Sequence, residues 1–213
     1  MAEEFVKRGW HVVGTVRAGA RARLHDLADS HPAQVTIECV DITLADQLVA
    51  LRDRLACRRF DMLFVNAGTV NRNPADTIAE VTTEEFTHVM VTNALAPMRA
   101  IETLECLVTE AGLLGIMSSG QGSVANNAQG GRELYRGSKA ALNMFMRSYA
   151  ARPASRARAL LLLAPGWIRT ELGGPDAPFT LEETIPDIVN TLLEKRGRPG
   201  LEYLDRKGRT VPW

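Results

Sequence analysis

The chain has 213 residues, 46% hydrophobic and 23% charged, a length that suits one domain with a substantial core. Basic and acidic residues balance at 25 each, which excludes the strong global field expected of a nucleic-acid or anionic-membrane binder. No stretch approaches the ~20 apolar residues of a membrane span, and the N-terminus lacks a basic region followed by a signal-peptide core; a soluble cytoplasmic protein is expected.

In chain order, Met1 to Trp10 reads as the second half of a helix, with Gly9 as its C-terminal stop. Apolar runs suited to fully buried parallel strands follow at His11 to Val16, Gln34 to Val40, Asp61 to Val65, Leu113 to Met117 and Ala157 to Leu163, with a short one near Leu201 to Leu204. Helical patterns lie between them at about Ala20 to Ser30, Leu44 to Ala56, Thr83 to Thr109, Glu133 to Ala151 and Glu182 to Lys195. This alternation predicts an α/β fold, a doubly wound parallel sheet with helices on both faces. The Gly/Asn-rich segment Gly120 to Gly131 and the Pro/Gly-rich segment Pro165 to Pro178 read as loops inside one domain, residues 1–213.

Cys39, Cys57 and Cys106 are odd in number, widely spaced and each set in an apolar segment, so buried free thiols are expected. The four histidines are scattered, and no metal site is assigned. The arginines at 152 to 158 are expected at a solvated helix end.

Ligands of doubly wound sheets bind outside the carboxyl ends of the strands. Arg17, Asp41, Asn66-Ala67-Gly68, Ser118-Ser119 and Pro165-Gly166 each follow a strand, so five strand ends converge on one crevice. Tyr135 and Lys139 stand at i and i+4 of a predicted helix, on one face, where the ammonium favours the ionised phenol and draws its pKa toward neutrality. With Ser119 holding a substrate oxygen, the three describe proton exchange at a carbonyl or alcohol. Tyr203 and Lys207 repeat the spacing, but they sit beside a strand and a turn, and this match reads as accidental.

Taken together, Asn66-Ala67-Gly68, Asn93, Ser119, Tyr135 with Lys139, and Pro165-Gly166 followed by Thr170 resemble the short-chain dehydrogenase/reductase family over the whole chain. Met117-Ser118-Ser119, the run Tyr135 to Asn143, Pro165 to Thr170, Gly173 to Ala177 and the closing Val211-Pro212-Trp213 resemble its C-factor/sniffer-like carbonyl reductase group. The resemblance implies a Rossmann-like fold, Tyr135 as general acid/base, Lys139 as its partner and a nicotinamide-ribose ligand, Ser119 as the carbonyl-polarising group, and Asn93 as support for a water-linked proton path. It also implies that Asp41 and Ile42 line the adenine, that Asn66, Ala67 and Gly68 support the adenine ribose, and that Pro165, Gly166, Ile168 and Thr170 hold the nicotinamide and pyrophosphate. Three of these have structural alternatives: Asn93 as a partner of buried backbone groups, Asp41 as a helix cap, and Asn66-Ala67-Gly68 as a turn requiring glycine.

Arg17, with Arg21 as a possible helper and no acid at the same strand end, predicts NADPH over NADH, because a guanidinium binds the 2′-phosphate that a carboxylate repels. A family member begins with a strand and a Gly-rich turn that cradles the pyrophosphate, and neither is recognised here, so the domain reads as N-terminally incomplete. An absent central strand leaves about 9.6 Å between neighbours that normally sit about 4.8 Å apart, a gap that must close or be filled. A start at an internal methionine of a longer frame is preferred to a short product that binds cofactor poorly. The expected activity is NADPH-dependent reduction of a small carbonyl; the alternative is a catalytically silent signalling or partner-binding scaffold. Ala94, Met98, Ile101, Leu104 and Leu107 give one helix an apolar side that suits either a homodimer or the core.

Overall fold

The computed structural model describes residues 1–19 and 21–213. Ala20, where the second helix was expected to begin, lies outside the described residues. In chain order the elements are α1 Ala2–Lys7, β1 Val12–Val16, α2 Arg23–Ser30, β2 Val35–Cys39, α3 Ala45–Arg54, β3 Phe60–Val65, α4 Thr83–Met90, α5 Ala96–Leu104, β4 Val108–Met117, α6 Glu133–Ala150, β5 Ala159–Ala164, α7 Leu181–Lys195 and β6 Gly200–Asp205. All strand pairings are parallel.

The heart of the sheet is β5, whose Ala159-Leu160-Leu161-Leu162-Leu163-Ala164 run is buried throughout. Side chains alternate across a strand, so Leu160, Leu162 and Ala164 join the core that includes residues of α3, α5 and α6, while Ala159, Leu161 and Leu163 join Ile188 and Leu192 of α7. Each fully buried leucine contributes about 2 kcal/mol. Helix α7 starts from a reciprocal cap: Thr180 Oγ1 accepts the Glu183 amide at 3.2 Å and the Glu183 carboxylate accepts the Thr180 amide at 2.8 Å.

The pairing divides into β1-β2 and β3-β4-β5-β6. Among the described residues no strand pairs with the facing edges of β1 and β3, so the anticipated gap neither closes nor is filled by this chain. One consequence corrects the expectation of uniformly buried strands: β5 is wholly buried, whereas β1 is partly exposed along its length and β2 has only Val35 buried.

Other boundaries move for local reasons. The helix expected to run to Thr109 ends at Leu104, a single 3-10 turn covers Glu105–Leu107, and β4 begins at Val108, five residues early. The Arg158 guanidinium fixes that strand start by donating to the Val108 and Thr109 carbonyls at 3.1 Å each. Arg152 pairs with Glu102 at 2.7 Å. The three cysteines are free, as expected, but exposed: Cys39 ends the partly covered β2 and Cys106 lies on the 3-10 turn. The apolar side offered for pairing, Ala94, Met98, Ile101, Leu104 and Leu107, is buried in the core. No described helix is long and apolar enough to cross a membrane, and among the described residues no cluster of His, Cys, Asp or Glu could hold a metal.

Candidate active site

A cleft of about 2390 Å³ runs along the carboxyl ends of the strands and continues between β1 and β3. Arg17, Asp41, Ile42, Asn66, Ala67, Gly68, Ser119, Tyr135, Lys139, Pro165, Gly166, Ile168 and Thr170 all line it, so it gathers every sequence-predicted site residue except Asn93.

Asn93 is fully buried. It sits in a π-helical turn, Val91–Leu95, wedged between α4 and α5, the kind of local insertion that redirects a side chain at a functional site. Its Oδ1 accepts the Thr69 amide at 2.8 Å, and its Nδ2 donates to the Thr69 carbonyl and to Ser138 Oγ at 2.9 Å each. The asparagine thus clamps the segment after Gly68 to α6. A Cβ at Gly68 would stand 3.4 Å from Lys139 Nζ and 3.5 Å from Asn93 Oδ1, which places the ammonium and the amide against the same backbone.

On α6, Tyr135 and Lys139 are both buried and share the predicted face, with Nζ 6.0 Å from the centre of the phenol ring. Lys139 donates to the Met117 carbonyl at 3.0 Å. Burial with no carboxylate beside it pushes the Lys139 ammonium down to about 8. The phenol departs from the sequence expectation: burial pushes its pKa up, and the groups that pull it back are the Ser119 hydroxyl and the Arg132 guanidinium, not Lys139.

Ser119 follows β4 and is held by residues not assigned to the site from sequence. Its carbonyl accepts a hydrogen bond from the Tyr203 hydroxyl. Tyr203 packs on Trp213, ring centres 5.3 Å apart, and the Trp213 carbonyl accepts the Ala125 amide at 2.9 Å. The repeat of the Tyr and Lys spacing at Tyr203 is therefore no second acid/base, but its tyrosine braces the serine loop. Ser118 Oγ bonds Asn143 Oδ1 at 2.7 Å, and Asn143 Nδ2 donates to the Gly122 carbonyl at 3.2 Å. Gly122 is required because a Cβ there would meet Lys139 Cβ at 2.9 Å. The signal for this bracing was the closing Val-Pro-Trp, whose partner in the loop a single sequence does not reveal.

At the ends of β1 and β2, Asp41 lines the cleft, yet its Oδ1 is occupied by the Thr43 amide at 2.9 Å and the Thr43 hydroxyl at 2.7 Å, which hold its pKa down. Arg17 is exposed after β1, its charge also acting on Asp41. Arg21, the suggested helper, is taken by Asp26 at 2.8 Å and Asp29 at 2.5 Å, acids from the first and last turns of α2. The loop after Pro165 is bonded to itself: Thr170 Oγ1 accepts the Gly173 amide at 3.0 Å and Trp167 Nε1 donates to the Gly173 carbonyl at 2.7 Å.

Residues 1–186 match the family model described as enoyl-(acyl carrier protein) reductase. A short-chain dehydrogenase/reductase structure from Burkholderia multivorans with bound NADP is 61% identical, superposes at a TM-score of 0.98, and is matched over 100% of this chain and 92% of its own. The chain belongs to the short-chain dehydrogenase/reductase family. With that membership it is placed among the NAD(P)-dependent oxidoreductases. Within the short-chain dehydrogenases/reductases it is also similar to a carbonyl reductase of Pseudomonas aeruginosa PAO1 in complex with NADP, at 32% identity and a TM-score of 0.91 over 100% of this chain and 92% of that one. The C-signal protein of Myxococcus xanthus is 30% identical over 155 residues, 72% of this chain and 92% of that relative.

Proposed function

We propose that the protein reduces a small carbonyl compound to an alcohol with NADPH, Tyr135 acting as general acid/base. The observation that carries this reading is the meeting of Ser119, Tyr135 and Lys139 in the cleft that also holds the ends of β1, β2, β3 and β5. The residues fit a nicotinamide dinucleotide: the bare backbone of Gly68 leaves Lys139 Nζ at the cleft floor, Pro165 to Thr170 form a wall, and the exposed Arg17 guanidinium suits a 2′-phosphate. When bound, NADPH supplies the hydride that reduces the carbonyl carbon.

The chain's own groups do the remainder. Ser119 Oγ donates a hydrogen bond to the substrate oxygen and holds it beside Tyr135. The phenol, kept protonated by burial, gives its proton to that oxygen. The Ser119 hydroxyl and the Arg132 guanidinium stabilise the phenolate left behind, Lys139 stands ready to hold the nicotinamide ribose, and Asn93 keeps Thr69 and Ser138 fixed beneath it. Asn93 is accordingly a positioning residue.

The test is NADPH consumption against a panel of ketones and aldehydes, beside calorimetric titration with NADPH and NADH. Turnover of at least one carbonyl with NADPH preferred is the expected result; tight NADPH binding with no turnover of any member rejects the reaction. The second reading, a signalling or partner-binding scaffold, is favoured by one observation, the unpaired facing edges of β1 and β3. Failure to bind either nucleotide selects it.

A further inference from the structure

Gly130, Gly131 and Arg132 form three consecutive left-handed positions, φ 68°, 67° and 51°. Glycine adopts that conformation without strain, and the first two positions use it; Arg132 is the one non-glycine with positive φ among the described residues. A residue held in a sparsely populated region at a reactive centre points to a use for its side chain.

The side chain lines the cleft beside Ser119, Gln121 and Tyr135, with its guanidinium carbon 5.4 Å from the centre of the Tyr135 ring. Its Nε is buried with no hydrogen-bond partner, and so is Gln121 Oε1 in the same wall. No ion pair among the described residues includes Arg132. The neighbouring Glu133 spends its carboxylate on the Ile78 amide at 2.7 Å. A buried donor on a permanent cation, left unsatisfied by the protein, is unfavourable until an acceptor arrives.

We propose that Arg132 is the substrate-selecting residue and that the carbonyl substrate carries a carboxylate close to its reacting carbon, making it an oxo acid. This rests on the carbonyl-reduction reading and narrows its substrate class. The planar fork suits a carboxylate, which it can meet with two parallel bonds. A carboxylate on Arg132 would sit beside the Tyr135 ring, in the wall of the cleft that also carries Ser119. In the reaction the carbonyl carbon takes hydride from NADPH, its oxygen takes the Tyr135 proton, and a hydroxy acid and NADP⁺ result; the carboxylate is unchanged.

The experiment compares phenylglyoxylate with its methyl ester, which present the same ketone with and without a charge, in wild type, Arg132→Gln, Arg132→Lys and Arg132→Gly. The readout is the acid-to-ester ratio of kcat/KM, in which any common effect of the arginine on the tyrosine cancels. We expect Arg132→Gln to lower the ratio roughly 100-fold, Arg132→Lys to restore part of it, and Arg132→Gly, which fits the left-handed backbone, to match Gln. A ratio that does not move in folded Gly or Gln variants overturns the proposal. Calorimetric binding of phenylacetate against phenylacetamide to the NADP⁺-loaded protein gives a second arm. Arg132-dependent preference for phenylacetate without turnover of any carbonyl keeps the anion site and rejects the reduction, whereas ester turnover with no preference for either acid rejects the site and keeps the reduction.

Discussion

Burying the Lys139 ammonium costs the folded protein stability, because its pKa drops from 10.5 to about 8. The unfolded chain holds the proton more tightly, so this penalty is complete below pH ~8 and fades as pH rises toward ~10.5, at a full size of roughly 3 kcal/mol. Lys139→Met should therefore raise the unfolding free energy at neutral pH by up to that amount and by much less near pH ~10, while weakening cofactor binding and slowing turnover. Urea titrations at the two pH values check this; a less stable variant at neutral pH would mean that the bond to Met117 outweighs the burial. Tyr135→Phe removes only the transferable proton, so turnover should fall by at least ~1000-fold with the melting temperature nearly unchanged. Retained activity rejects the acid. For Arg17→Asp, a carboxylate in place of the guanidinium should reverse the NADPH preference, and an unchanged ratio of NADPH to NADH affinities would place cofactor selection elsewhere.

At the scale of elements, the strand ends and α6 were legible because burial on both faces leaves continuous apolar runs and because a helix turns i and i+4 to one side. The π-helical turn at Asn93 was not. Its neighbours Val91, Thr92, Ala94 and Leu95 continue a helical pattern, and one inserted residue is invisible when the tertiary contact that selects it, Thr69, lies 24 residues away. Tyr203 was weighed for the wrong property: its spacing to Lys207 was judged as chemistry, whereas its role lies in a hydroxyl reaching Ser119 across 84 residues. Tyr203→Phe should cost about 1 kcal/mol of stability and lower kcat about tenfold with the cofactor dissociation constant unchanged. Chemical denaturation and steady-state kinetics test it, and loss of cofactor binding instead would show that β6, not the serine loop, is what the hydroxyl supports.

For the whole molecule, the sheet's division into two parts sets a gradient of order. The Val12 amide donates to Gln34, so strand alternation turns the amides of Val13 and Thr15 away from β2 toward the cleft. Without a partner there, they should exchange with solvent at least ~100-fold faster than the amides of Leu161 and Leu162 in the centre of β5. Equal protection across β1 and β5 would mean that the two halves pair in solution. The position of the gap was readable from the family resemblance, but whether it would close was not, since that depends on how the helices hold the two halves.

The brace on Ser119 also orders events during synthesis. Tyr135, Lys139 and the end of β4 are made before the Tyr203 hydroxyl and the Trp213 carbonyl that steady the serine loop. The serine loop is therefore steadied only by a segment translated 84 residues after it, and a nascent chain that stalls before Tyr203 leaves that loop unbraced.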